Sequence, residues 1–215
     1  MLLSYAITLC NEHDEFLNLF RALDKAKSPT DEIVVLLDYP KADYALLSTL
    51  HSLNVAKAIK LHAGVFDNHF ANWKNLLNSF CSGDYIFQLD ADELPHPNLL
   101  ASLEIALRNH PQFDLFLIPR VNTVEGIEEH HLSQWKWKMN SRGWINFPDY
   151  QPRLFRNNSK IHWKNKVHET IEGYTGMTAF PEREEFSLQH HKKIKRQEVQ
   201  NSFYEDLENI RFNQK

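Results

Sequence analysis

The sequence is poor in the residues from which several common architectures are built. Two Cys in 215 residues are too few for a disulfide framework, so a reducing compartment is the default. With 6 Gly and no glycine-rich loop ending in Lys-Ser/Thr, the chain lacks the phosphate cradle of a P-loop NTPase. Neither Cys-x-x-Cys nor His-Glu-x-x-His occurs, and His130-His131 lacks the partner spacing of a structural zinc site. No stretch approaches the roughly 18 uninterrupted apolar residues of a membrane span. Residues 1–15, MLLSYAITLCNEHDE, have no basic segment and no small-residue cleavage site, so they do not read as a signal peptide. Neither sign of charge dominates: 24 Lys plus Arg against 28 Asp plus Glu give a net charge of −4. That balance argues against broad electrostatic binding to nucleic acid. Internal repeats and low-complexity stretches are also missing.

What remains is an ordinary globular composition, 42% hydrophobic and 24% charged, long enough to bury a proper core. The expected location is cytoplasmic: soluble, or peripheral to a membrane.

The first half alternates two patterns. Residues 2–9 form an apolar run that reads as a buried strand. Asp14 is placed to cap a helix carrying Phe16, Leu19, Phe20 and Leu23 on one face, closed by Pro29. Residues 33–37 are a second buried strand ending at Asp38, and Leu46, Leu47, Leu50 and Leu53 mark a second helix. Residues 58–61 make a weaker strand before a loop at Gly64. Phe70, Trp73, Leu76, Leu77 and Phe80 make a third helix, stopped near Gly83. Residues 85–89 read as a strand, 90–97 as a loop, and Leu99, Leu100, Leu103 and Leu107 as a fourth helix before a strand at 114–118. Strands alternating with helices imply a mostly parallel α/β sheet covered on both faces.

After Pro119 the rhythm breaks. Residues 151–155 and 161–167 look like short strands joined by the Asn157-Asn158 turn, and 186–190 like one more strand. The expected organisation is one domain: 1–118 as one half, 119–215 as an irregular or antiparallel extension. It ends in a helix with Val199, Phe203, Leu207 and Ile210 facing the body.

The strongest chemical signal is Asp90-Ala91-Asp92-Glu93, three carboxylates just past a buried strand. Ligands bind at that edge of an open α/β sheet. Mutual repulsion among the three calls for a compensating cation, and hard oxygen ligands on alternate residues suit Mg²⁺ or Mn²⁺. The competing reading is an Asp-rich turn capping the next helix. Asp38, and Asn11-Glu12, supply polar groups at two further strand ends, where a base or ribose could bind; each alone is equally well a cap.

In order, Thr8-Leu9-Cys10-Asn11-Glu12, Asp31-Glu32-Ile33-Val34-Val35 with Asp38, Phe70-Ala71-Asn72-Trp73-Lys74-Asn75, Gly83-Asp84-Tyr85 and Leu89-Asp90-Ala91-Asp92-Glu93 resemble the family 2 glycosyltransferases of the GT-A fold. The similarity continues through residues 148–156 (PDYQPRLFR), Trp163, Val167-His168-Glu169 and His190 with Lys192. There it resembles the subgroup that includes lipopolysaccharide-core glucosyltransferases. Lys74 stands where the family often has Arg, and Tyr39-Pro40 replaces its usual small polar residues.

The resemblance implies a GT-A-like sheet and metal-dependent, inverting transfer of a sugar from a nucleotide diphosphate sugar, UDP-sugar favoured, to a hydroxyl of a glycan or glycolipid acceptor. It makes Thr8, Asn11, Glu12, Asp38, Lys74 and Asp90 donor-binding residues. It makes Asp90, Asp92 and His190 the holders of Mn²⁺ or Mg²⁺, with His168 the rival histidine. The departing diphosphate needs its charge neutralised, and the acceptor hydroxyl needs a base. Glu169, slightly preferred, and Asp149 are both candidates for that base; structurally, each is equally a partner for a nearby cation or a turn. Trp135-Lys136-Trp137-Lys138 reads as an acceptor surface or a plain amphipathic edge. A nucleotidyltransferase on a similar sheet, and a non-catalytic nucleotide-sugar or glycan binding module, are the alternatives. The former usually has a basic Gly-rich loop where Asn11-Glu12-His13-Asp14 stands.

Overall fold

The computed structural model describes the backbone of residues 1–212 and the side chains of residues 1–207. In chain order the strands of the first half are β1 (Leu3–Leu9), β2 (Glu32–Asp38), β3 (Lys60–Gly64), β4 (Tyr85–Asp90), β5 (Glu93–Pro95) and β6 (Leu115–Ile118). Between them lie α1 (His13–Ala26), α2 (Tyr44–Val55), α3 (Phe70–Ser79) and α4 (Pro97–Asn109). The second half adds β7 (Arg120–Glu125), α5 (Glu129–Trp135), β8 (Gln151–Arg156), β9 (His162–Lys164), β10 (Thr170–Glu172), β11 (Met177–Ala179), β12 (Leu188–Lys193) and α6 (Ile194–Phe212).

The central sheet has the order β11-β6-β8-β4-β1-β2-β3. All its pairings are parallel except those of β8, which runs against both β4 and β6. The Ile33–Leu37 stretch is apolar without alternation because it is buried on both faces. Helices cover both sides, and two hydrophobic clusters form, one around Phe16, Phe87 and Phe116, the other around Trp73, Phe155 and Trp163. Each fully buried ring or aliphatic side chain contributes about 1.5–3 kcal/mol. Gly83 is needed where β4 enters: a Cβ there would stand 2.7 Å from the Ser4 backbone nitrogen, and its own N–H donates to Ser4 Oγ at 2.8 Å.

Local chemistry explains most boundaries. Asp43 caps α2 by accepting from the Leu46 N–H at 2.8 Å, and Pro97 opens α4 where its missing N–H does no harm. Asp14, the expected cap of α1, lies instead in its first turn. Glu12 occupies the cap position without a side-chain cap bond, because its carboxylate accepts from the N–H groups of Cys10 and Asn11. The third strand runs to Gly64, past the expected loop, and α3 ends at Ser79, short of Gly83. Leu76, expected on the packed face of α3, is exposed.

The second half departs further. The expected hairpin between β8 and the following strand does not form: β8 inserts into the central sheet, and β9 pairs with β10. A three-stranded side sheet, β5-β12-β7, arises from the segment expected to be a loop after Asp90, from a strand after Pro119, and from β12. In α6, Leu207 is buried and Phe203 packs on Phe70, but Val199 is 71% exposed, not packed. The side chain of Ile210 lies outside the described residues. Among the described residues no helix is long and apolar enough to cross a membrane.

Candidate active site

Parallel strands end on the same edge, and that edge opens into a cleft of about 1070 Å³. Thr8 lies directly beside Asp90 in the β1–β4 register, and Thr8 Oγ1 donates to Asp90 Oδ1 at 3.2 Å. Asp38 ends β2; it is 5% exposed, accepts from the Phe66 N–H at 3.0 Å and pairs with Lys41 at 3.1 Å. Asn11 and Glu12 follow β1, and Glu12 is bound by Arg196 of α6 at 3.1 Å. All five line the cleft, together with Lys74, Asp92, Asp149, Glu169 and His190. Every residue proposed from the sequence to bind the donor, hold the cation or act as the base therefore lines one cleft.

The acids do not stand unneutralised. Arg153 reaches this edge because β8 runs antiparallel, which puts its beginning beside the end of β4. Its Nη2 lies 2.5 Å from Asp90 and 2.6 Å from Glu93, and Arg120 Nη1 lies 2.8 Å from the same Glu93 oxygen. Glu93 is wholly buried and also accepts from the Asp90 N–H, so it braces the motif and does not face the cleft. Burial pushes the Asp90 carboxyl up, but Arg153 and Lys74 outweigh it and hold Asp90 well below the usual carboxylate range. Asp92 is flanked by His190 Nε2 at 3.5 Å, Lys192 Nζ at 3.6 Å and Arg196 Nη2 at 3.4 Å. These likewise overcome the opposing effect of burial and keep it ionised. The repulsion read from the sequence is thus met largely by the protein's own cations.

His190 is the centre of the side sheet. It stands opposite Glu93 on β5 and opposite Asn122 on β7. Burial lowers its pKa in spite of Asp92, and Nδ1 lies 2.7 Å from Asn122 Oδ1. His191 points the other way, exposed, with Thr123 at 2.9 Å. His168, of positive φ 51°, lies in the β9–β10 loop and packs edge-on against Tyr204.

That loop also carries Glu169, which pairs with Lys74 Nζ at 3.0 Å; the same ammonium sits 4.5 Å over the Trp163 ring. Trp163 Nε1 donates to the buried Gln88 Oε1 at 2.7 Å, and Asn75 clamps the Trp163 backbone through two bonds of 2.8 Å. Asp149 is more heavily engaged: Oδ2 receives Arg120 Nε at 2.9 Å and Asn122 Nδ2 at 2.6 Å, and Oδ1 receives Gln151 at 3.0 Å. Its φ of +30° is an uncommon conformation for a non-glycine residue. Trp137 lines the cleft and packs on Trp135 at 4.8 Å.

Among the described residues no three His, Cys, Asp or Glu side chains form a ready cage for a metal ion. Mg²⁺ and Mn²⁺ do not need one, since one or two carboxylates plus substrate phosphates hold Mg²⁺. The donor set fits in one respect: His190 Nε2 lies 3.5 Å from Asp92 Oδ2, so an imidazole nitrogen and a carboxylate oxygen, both ligand types for such ions, stand side by side at the cleft.

Arg120, Asn122, Arg153 and Arg196 are among the site residues to which sequence reasoning gave no role. The polar/apolar alternation of Arg120-Val121-Asn122 was the available signal for the first two, since it marks a half-buried strand.

No family model matches the sequence, and no curated protein matches it. The fold, in contrast, is that of several solved structures of S. aureus TarS. One crystal structure superposes with a TM-score of 0.62 at 13% identity, covering 89% of this chain and 37% of that chain. TarS 1-349 in complex with UDP-GlcNAc gives 0.59 at 13% identity, covering 89% and 59%; the complex with UDP gives 0.62 at 13%, covering 89% and 60%. The chain thus spans less than two thirds of the structures it resembles, and what it shares with them is the fold.

Proposed function

We propose that the protein transfers a sugar from a nucleotide diphosphate sugar, UDP-sugar favoured, to a hydroxyl of a glycan or glycolipid. The observation carrying this reading is the convergence of Thr8, Asp38, Asp90, Asp92 and His190 at one sheet-edge cleft, in a fold shared with proteins solved with UDP and UDP-GlcNAc. Asp38 at the end of β2, with Thr8 and Asn11 at the end of the adjacent β1, holds the nucleoside. Lys74 supplies a fixed positive charge toward the phosphates. Asp92 and His190, with Asp90, would hold Mn²⁺ or Mg²⁺, which would offset the charge of the departing diphosphate.

Glu169 takes the proton from the acceptor hydroxyl. The acceptor oxygen forms its bond to the anomeric carbon as the bond from that carbon to the diphosphate breaks, with inversion, and the nucleoside diphosphate leaves. Asp149 is the poorer base because Arg120, Asn122 and Gln151 occupy both its oxygens. Trp137 offers an apolar ring on the acceptor side. Thermal melts with UDP-, GDP- and dTDP-sugars, each with and without Mn²⁺, test the proposal: ligand that binds only the folded state raises Tm. A cation-dependent rise with a UDP-sugar is expected; no rise with any of them overturns the donor site.

A further inference from the structure

The side chains of Asp149, Asn122 and His190 form a chain whose polarity can be read link by link. Asp149 Oδ2 is held in place by Arg120 through Nε at 2.9 Å and Nη2 at 2.8 Å. An ionised carboxylate only accepts hydrogen bonds. The Asn122 atom 2.6 Å from it is therefore the amide nitrogen, which fixes the orientation of the amide. The carbonyl oxygen Oδ1 is then turned to His190 Nδ1 at 2.7 Å. An amide oxygen has no hydrogen to give, so Nδ1 must carry one. In a neutral imidazole the other nitrogen is then bare, and it is Nε2 that lies 3.5 Å from Asp92 Oδ2. Asn122 and His190 are register partners on the parallel strands β7 and β12, so the contact is built into the side sheet.

We infer that Asn122, itself oriented by Asp149, is a positioning residue that holds His190 in the tautomer whose Nε2 lone pair faces Asp92. The consequence for cation binding rests on the reading that Asp92 and His190 hold Mn²⁺ or Mg²⁺; the tautomer itself does not. It also gives Asp149 a task other than proton abstraction. Histidine ligands of metals are generally oriented in this way through their second nitrogen, and loss of the orienting partner typically weakens binding 10–100-fold.

Two measurements on the full chain test this. Nitrogen NMR of the histidine rings in metal-free protein, with His190 assigned by His190→Gln, reads the tautomer directly. At a pH where the ring is neutral, the wild type is expected to carry its proton on Nδ1 and leave Nε2 bare. Asn122→Ala should move it wholly or partly to Nε2, and the exchanged pair Asn122→Asp with Asp149→Asn, which keeps a donor facing an acceptor facing Nδ1, should restore it. An unchanged Nδ1–H tautomer in Asn122→Ala, or a wild type protonated on Nε2, overturns the inference; if Asn122→Ala does not fold, the wild-type spectrum and the exchanged pair still decide it. Titration of Mn²⁺ in the presence of UDP, followed by electron paramagnetic resonance, should show a 10–100-fold weaker site in Asn122→Ala. A wild type that binds no Mn²⁺ refutes the cation reading, and leaves the tautomer result standing by itself.

Discussion

Arg153 Nη2 lies 2.6 Å from Glu93 Oε1, and both side chains are buried beneath the acidic motif. Removing one partner of such a pair leaves an uncompensated charge out of water, which is costlier than the pair itself is stabilising. Arg153→Met is therefore expected to lower the unfolding free energy by about 3 kcal/mol or more. Glu93→Gln should do less, because Arg120 keeps Asp149 and Arg153 keeps Asp90. Urea unfolding followed by circular dichroism gives the ranking; equal, sub-kcal losses would show the network to be dispensable.

Lys74 joins Trp163 to Glu169, which ties the charge proposed to face the phosphates to the candidate base. Lys74→Met is expected to weaken UDP binding about tenfold, in line with loss of one charge-assisted hydrogen bond. Glu169→Gln should leave UDP binding nearly intact and reduce turnover 10²–10⁴-fold, the usual contribution of a general base. Calorimetry with UDP set against transfer rates separates the two; full turnover in Glu169→Gln would remove it from the mechanism.

Glu32 gives the fold a pH dependence. Burial pushes its carboxyl up, but bonds from Lys60, Ser4 and Ser82 prevail and bring it down to about 2, against an ordinary 4.5. A carboxyl depressed in the folded state stabilises above its unfolded pKa, and that stability is lost as pH falls through the folded value. Glu32→Gln should thus be less stable than wild type at pH 7, with the gap in Tm closing between pH 4.5 and about 2. A gap that widens on acidification contradicts the assignment.

Trp137 lines the cleft, and the proposed function gives its ring to the acceptor. Trp137→Ala is expected to raise the KM for acceptor by roughly tenfold, the scale of one lost ring contact, with UDP affinity unchanged. A parallel loss of UDP binding would place the ring on the donor instead.

The first half was legible because its signals are local. Buried parallel strands read as continuous apolar runs, and the polar residues that end them, Thr8, Asn11, Asp38 and Asp90, land on one edge by topology alone. Those same strands gave the order of elements up to Ile118, with only the short strand β5 missed. The second half resisted for the opposite reason. Whether residues 151–156 pair with their neighbour or cross into the main sheet depends on partners far away in sequence, and no periodicity records that choice. The counter-charges were hidden likewise: Arg120 and Arg196 look like surface residues until the fold brings them to Asp149 and Asp92. The acidic motif, read as a demand for a foreign cation, was partly a demand for these arginines.

The antiparallel direction of β8 has one more consequence. The chain leaves the main sheet at Ile118 and re-enters at Gln151, and these two residues are paired neighbours. Residues 119–150 therefore form an excursion with a closed neck that lines one side of the cleft while the parallel strands of the first half continue past it. Such a piece is free to be lengthened, shortened or exchanged for another without disturbing the sheet. Yet Arg120, Asn122 and Asp149 travel inside it. Any exchange that reshaped this side of the cleft would at the same stroke replace what stands behind His190, so the outline of the cleft and the setting of that histidine are inherited here as a single parcel.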